Sequence, residues 1–296
     1  MNMSAVRPRQ VASPGTPLRV TREWSRLLGH RSFLFGAVIL AALVVVVAAG
    51  PALAPADPLA INPVGRLRPP GPAHWLGTDN LGRDLLSRVL YGARFSMAIA
   101  VSSIAAGAVV GWVVGSLSGY HRGRVGILLN GAIDVFLAFP MELIALVIVS
   151  ITGTGLANVV LAISLSVWPR IARVVRGEVL RVREVEFVDA ARALGGTVAR
   201  ILRRHVLPNV AAQLIVALTF NVGAAVLVEA TLSFLGLGVP PPLPTWGNIA
   251  SDSRKYLVIS PWGMMFSGAA VGLTVLSLNL VGDGLRDFFD PRLRHR

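Results

Sequence analysis

Six apolar runs decide what this chain can become: Phe33 to Ala54, Phe95 to Ser118, Ile127 to Ile151, Leu156 to Ile171, Val210 to Leu232 and Trp262 to Val281. A bilayer core takes about 20 apolar residues of helix, and a backbone inside it must satisfy its own hydrogen bonds, which a helix does. Composition points the same way. With 54% hydrophobic and 15% charged residues and a mean hydropathy of +0.65, a soluble globule of 296 residues would lack the polar surface to cover itself. The reading is an all-α membrane protein with six transmembrane helices, the fourth run being the shortest. Ala52-Leu53-Ala54 resembles a leader cleavage site. The run before it is longer than a signal core of about 7 to 15 residues, and Pro55 would follow the cut, so the run is expected to remain as an anchor.

The net charge of +13 is carried almost wholly by arginine, Lys255 being the single lysine, and it falls between the apolar runs rather than along one face. Membrane topology explains that pattern better than a nucleic-acid surface does. Of the 28 Lys and Arg, 21 fall before residue 33, in 119–126, in 170–204 and after 285; the other seven fall in 66–94 and 254–255. Cytoplasmic segments collect positive charge, so both termini are expected in the cytoplasm. Losing one span would separate the 170–204 cluster from the C-terminal arginines, so the asymmetry also supports an even count. Residues 1–30 read as a basic cytoplasmic tail and 31–296 as one transmembrane domain, with the Pro-rich stretches 51–72 and 239–246 facing outward.

Cysteine is absent, and histidines 30, 74, 121, 205 and 295 are too scattered for ligand spacing, so no metal site is expected. No catalytic residue stands out either. The chain has no glycine-rich loop ending in Lys-Ser or Lys-Thr, and so does not cradle ATP itself.

Between the fourth and fifth runs lies a polar island. Glu184 to Leu194 reads as a short amphipathic helix with Phe187, Ala190, Ala191 and Leu194 along one side. Gly195-Gly196 stops it with a left-handed cap. Thr197 then caps a second helix, Val198 to Leu207, before Pro208 admits the chain to the next span. Spacing alone leaves two readings open, a basic loop that fixes orientation or a docking surface.

The order Asp189-Ala190-Ala191, then Gly195, then Leu207-Pro208 resembles the EAA loop of permease subunits in binding-protein-dependent ABC importers. Asp189 stands where that signature has glutamate, and His205 where it has isoleucine. Three more segments are similar to dipeptide, oligopeptide and nickel permeases: His74-Trp-Leu-Gly-Thr-Asp79 through Arg94, Glu229 through Gly247 and Asn279 through Arg294. The match runs from about residue 74 to the end and resembles the second, shorter-leader permease of that family.

The resemblance implies an EAA-type coupling loop between helices 4 and 5, formed by Glu186, Phe187, Asp189, Ala190, Ala191, Leu194, Gly195, Arg200 and Pro208, which docks on an ATPase subunit. It implies a multi-pass subunit of the bacterial inner membrane, surrounded by lipid. Its partners would be a second homologous permease, two cytoplasmic ATPases and an extracytoplasmic substrate-binding protein, with no nucleic acid. ATP and Mg would sit on the ATPases, leaving no cofactor in this chain. Peptides are the favoured cargo, with nickel or another small solute as the alternative. A stand-alone secondary transporter or channel would need its own coupling-ion site and usually an internal repeat, and none is evident.

Residues Thr78 to Tyr91 read as an amphipathic interfacial helix with Arg83, Asp84 and Arg88 facing water and with Asp79–Arg83 and Asp84–Arg88 as i,i+4 pairs. Gly107, Gly111, Gly115 and Gly119 leave one face of the second span as bare backbone for close helix packing, with a partner in this chain or in another. Asp134, Glu142, Asn221 and Glu229 are the candidate pathway or interface residues. Ionisable groups at membrane depth cost about 2.5 to 3.5 kcal/mol unless partnered or hydrated. Asp134 is expected to pair with an arginine of a neighbouring loop. Glu142, beside Pro140, is either part of a water-lined path or a structural hydrogen-bonding group, and Glu229 reads first as a helix-end or interface residue.

Overall fold

A computed structural model describes residues 31–121 and 123–289. The tail 1–30 and the C-terminal arginines 292, 294 and 296 lie outside the described residues, as do the side chains of Phe187 and Asp189. Among the described residues there is no strand, only two isolated β-bridges, Gly71 to His74 and Thr78 to Asp84.

The chain begins with α1 (Arg31–Leu53), crosses an irregular lobe and enters the 36-residue α2 (Leu85–Tyr120). Then come α3 (Arg124–Leu137), α4 (Met141–Thr152), α5 (Leu156–Val182), the short α6 (Glu186–Ala193) and α7 (Val198–Ile201), α8 (Leu207–Phe234), α9 (Trp246–Ser253) and α10 (Trp262–Phe289). Helices α1, α2, α5, α8 and α10 are each long and apolar enough to cross a membrane. The third expected span, Ile127 to Ile151, is broken: α3 and α4 meet at 88°. Pro140 explains the break, because it has no N–H to donate and its ring excludes the carbonyl four residues back. Helical bonding stops at Ala138, whose N–H reaches Asp134 at 3.0 Å. Glu142 lies in the first turn of α4, where a carboxylate suits the positive end of the helix, and is exposed.

The fourth span is the main surprise. Expected to be short, it runs 27 residues, past Arg170, Arg173, Arg176 and Arg181, with Pro169 inside it. In its most apolar 18-residue stretch 61% of the residues are buried, against at most 33% in the other four spanning helices. A helix shielded by protein rather than lipid needs less apolar character, which is why hydropathy understated it. Val159, Ile163, Val167, Ile171, Val175 and Val179 line its buried face at helical spacing.

Most of that face meets the glycine stripe of α2, so the stripe's partner lies in this chain. A Cβ on Gly111 would stand 2.8 Å from both the Ile171 Cβ and the Trp168 carbonyl, and one on Gly119 would stand 2.9 Å from the Val179 Cβ. Gly107 and Gly115 meet Val167 and Val175 in the same register. The two backbones are closer than any side chain allows.

The expected interfacial helix over Thr78 to Tyr91 does not form. Residues 78–84 are a folded loop, and the helix starts only at Leu85 because the Asp84 carboxylate accepts from the Ser87 N–H at 2.8 Å as an N-cap. Arg83, Asp84 and Arg88 are buried instead of facing water. The Asp79–Arg83 pair is present at 2.6 Å, whereas Arg88 pairs with Asp79 and Asp252 rather than with Asp84.

Gly111→Val should cost about 1 to 3 kcal/mol through overpacking and lower the melting temperature of the detergent-purified chain. Gly268→Ala, where an added methyl meets nothing within 4 Å, is the control. Equal melting of the two variants would remove the seam as a determinant of stability.

Candidate functional site

Two polar regions flank the apolar bundle at opposite ends of α2, whose 36 residues span about 54 Å at the usual helical rise. At the C-terminal end sits the island. Val185 N–H bonds the Val182 carbonyl at 3.1 Å and Val188 N–H bonds the Val185 carbonyl at 2.9 Å, so a tight turn joins α5 to α6. Gly195 has φ +78°, and the Gly196 N–H reaches the Ala191 carbonyl at 3.0 Å, the bond that closes a left-handed helix stop. The expected second helix is shorter: α7 ends at Ile201, and Leu202–Val206 forms a π-helical turn that runs directly into α8. Pro208, near the start of α8, cannot donate to the turn before it, and a widened turn accommodates that missing bond.

Val188, Ile201 and Val206 are buried and anchor the island to the core. Glu186, Ala190, Gly195, Arg200 and Pro208 are exposed, and Ala191 is half-buried. Leu194 is 88% exposed, an apolar side chain turned away from the fold. The island therefore has an inner face that packs and an outer face of small and apolar groups, with Arg200, Arg203 and Arg204 also exposed on it or next to it in the chain.

At the N-terminal end of α2 lies a compact ion network. Asp79 bonds Arg83 Nε at 2.6 Å and also pairs with Arg88. Asp252, on α9, takes Arg83 Nη2 at 3.2 Å and Arg88 Nη2 at 3.3 Å. His74 Nδ1 meets Asp84 at 2.9 Å. Arg88 is only 2% exposed, while the Asp252 side chain is 35% exposed and opens the network to one side. Burial pushes the Asp79 carboxyl up, yet the Arg88 charge, the Arg83 backbone N–H and the Arg83 charge outweigh it and hold it below the ordinary aspartate value of 3.8. A cavity of about 310 Å³ adjoins the network, bounded by Asn80, Arg83, Pro240, Pro242, Asn248 and Asp252.

The candidate pathway residues do not converge. Glu229 is fully buried, accepting from Ser96 Oγ at 3.2 Å and Ser233 Oγ at 2.8 Å. Ser96 Oγ also accepts the Trp246 N–H at 3.1 Å, so this carboxylate knots α2, α8 and α9 together. Asp134 accepts from Asn130 Nδ2 at 2.8 Å and pairs with Arg173. That arginine rides on α5 rather than on a loop, since α5 continues past residue 171. Asn221 donates to the Ala217 carbonyl of its own helix at 2.7 Å. Asp252 and Ser96 escaped sequence reasoning because their partners lie more than 130 residues away. The family-like segment 229–247 beside Asp252 was the one available pointer.

A bundle of membrane-crossing helices with a packed lobe at one end and a surface-presenting island at the other is the architecture of a transport permease. Residues 107–295 match the model of the binding-protein-dependent transport system inner membrane component, and residues 17–70 match the N-terminal transmembrane domain of oligopeptide transport permease C. A Brucella abortus relative, named for a peptide transport system permease, is 44% identical over 269 residues, covering 91% of this chain and 90% of the relative. The dipeptide transport system permease of Alkalihalophilus pseudofirmus is 37% identical over 271 residues, 92% of this chain and 89% of its own length. The glutathione transport system permease of Pectobacterium atrosepticum is 42% identical over 225 residues, 76% and 75% of the two chains. An inward-facing MetNI methionine ABC transporter structure shares the fold, with TM-score 0.57 and 21% identity over 68% of this chain and 96% of that one.

The chain belongs to the inner-membrane permease family of binding-protein-dependent transport systems. It is a permease subunit of an ABC importer, a family whose ATPase is a separate subunit.

The Asp79 carboxyl lies below its unfolded value, so its contribution to stability is full above about 3.8 and is lost as pH falls through the lower folded value. Melting temperature should therefore drop on acidification, and Asp79→Asn should flatten that acid limb. Arg88→Met should cost about 3 to 5 kcal/mol at neutral pH by stranding buried charge. Tryptophan-fluorescence melting across pH reads both effects, and an unchanged acid limb in Asp79→Asn would remove Asp79 from the account.

Proposed function

We propose that this chain forms half of the translocation pathway of an ATP-driven importer of di- or oligopeptides. A second homologous permease supplies the other half, and an extracytoplasmic binding protein delivers cargo. The 184–208 island carries the coupling to two cytoplasmic ATPases, which hold the ATP and Mg. Both termini and the island face the cytoplasm of a bacterial inner membrane, while the lobe before α2 and the segment around α9 face outward. Counting the broken α3–α4 pair as one crossing gives six traverses, an arrangement that returns the chain to its starting side.

The observation that carries the coupling assignment is the outer face of the island. Leu194 is 88% exposed beside the exposed Ala190, Ala193 and Gly195, a small-residue surface with one projecting apolar group, which suits insertion into a cleft. The peptide cargo rests on the names of relatives that align over most of this chain. In the working cycle, closure of the ATPases drives the two permeases' islands together, and rigid helix movement opens the path to the outer side.

Co-expression with its partner subunits and reconstitution into proteoliposomes should give uptake of labelled di- or oligopeptide that requires both ATP and the binding protein. ATP-dependent uptake of nickel without peptide would overturn the cargo, and peptide movement by the chain alone without ATP would overturn the importer mechanism.

The absence of native cysteine makes orientation directly testable. A single cysteine at Val258, 99% exposed between α9 and α10, should react with an impermeant maleimide on intact spheroplasts. One at Leu194 should react only after permeabilisation, and the reverse pattern would invert the topology.

A further inference from the structure

One side chain links the island to the bundle in a way the coupling assignment does not use. Arg183 follows the last residue of α5, and its backbone N–H still bonds Val179 at 2.9 Å. Its Nη1 crosses to the end of α2 and donates to the Gly119 carbonyl at 2.6 Å, with the Tyr120 carbonyl at 3.5 Å. The last carbonyls of a helix have no intrahelical donor and carry the negative end of its dipole, so a guanidinium there is a charge-assisted C-cap supplied by another helix. Arg183 Nε also bonds the Glu184 carboxylate at 2.9 Å, which aims the fork. The side chain is only 15% exposed.

The clasp sits where the glycine seam ends. Gly119 is the last glycine of the stripe and packs on Val179, one helical turn before Arg183. A neighbouring bond, Arg176 Nε to Ser118 Oγ at 3.2 Å, ties the same two helix ends. Beyond Arg183, only the tight turn through Val185 separates α5 from α6. A displacement of α6 therefore reaches α5 first, and α2 follows only as far as the seam and this clasp hold.

We propose that Arg183 is a positioning residue for coupling: by capping α2 with the chain that carries the island, it makes the α2–α5 pair move as one body with α6. This rests on the island being the ATPase-docking loop. Without the clasp the island still docks and still moves the end of α5, but less of that movement is passed on to α2.

The experiment measures transported peptide per ATP hydrolysed in reconstituted complexes, together with ATPase recovery on purification and the melting temperature. Arg183→Ala should retain the ATPases and lower the transport-to-hydrolysis ratio by roughly tenfold, the factor carried by one charge-assisted hydrogen bond. Arg183→Lys, which still donates to a carbonyl, should restore most of the ratio. A lowered melting temperature with an unchanged ratio would make Arg183 a structural brace only and overturn the proposal. If Arg183→Ala does not assemble, an unchanged ratio in Arg183→Met, which keeps most of the apolar stem but donates no hydrogen bond, overturns it equally. Ala190→Trp separates the two layers of the argument: release of the ATPases by this variant supports the docking surface, and retention with normal coupling sinks that reading independently of Arg183.

Discussion

The close approach of α2 and α5 along four glycines is the contact on which the rest of the architecture depends. Inside a bilayer, lipid tails are as apolar as leucine, so helices gain little from excluding water and must gain from dispersion and weak backbone contacts. Those contacts fall off within an ångström, which makes Gly107, Gly111, Gly115 and Gly119 the condition for α5 to sit in the middle of the fold. With α5 central, α4 and α8 pack against it, and Met141, Ala145, Val149, Val210 and Val226 belong to the same buried core as its apolar face. The result is a bundle organised around its least apolar spanning helix. The arginines toward its far end are tolerated because Arg170, Arg173 and Arg181 stand off the packed face and are exposed.

At the opposite end of α2, buried charges take over the task of fixing register. A buried ion pair is weak evidence for stability, since desolvation offsets most of the attraction. Its geometry is more telling. Arg88 reaches both Asp79 in the lobe and Asp252 on α9, so the first turn of α2 sets the position of two segments distant in sequence. Two turns further on, Ser96 joins Glu229 of α8 to the backbone of Trp246. Sliding any of these elements by one residue would leave a charge or a carboxylate unpartnered. That end of the bundle is thereby one assembly, built largely from segments whose resemblance to peptide and nickel permeases was visible before their contacts were.

Five of the six spans and the helix–turn–helix character of the island were legible in the sequence, because long apolar runs and a Gly-Gly stop express local physics. The errors are equally physical. Hydropathy scores transfer into lipid, so it clipped α5, which is buried in protein and keeps helical bonding through Pro169 and the arginines beyond. The amphipathic pattern over residues 78 to 91 suggested a helix, but Asp84 serves better as a cap, and capping moved the start to Leu85. The glycine stripe announced close packing without naming the neighbour, as any small-residue stripe must. Ser96 and Arg183 carried no local signal, and Asp252 only its nearness to the family-like segment 229–247; Arg183 is one of nine arginines between 170 and 204, and only the position of α2's end distinguishes it.

The same features divide the molecule into parts that transmit displacement and a part that can absorb it. A close-packed seam is bistable rather than compliant, since small sliding loses its contacts before new ones form. The α2–α5 pair, anchored by ions at one end and bordered by the island at the other, is therefore the stiff member. The α3–α4 unit is different in kind. Its helical bonding is already interrupted at 138–140 and its halves meet at 88°, so its angle can change without breaking a helical bond that exists. Its contacts with α5 run through Ile133 and the Phe136–Trp168 edge pair on one half, and through Met141 and Ala145 on the other. A permease must alternate between openings while keeping its helices intact, and a stiff pair beside a jointed span meets both demands within one chain.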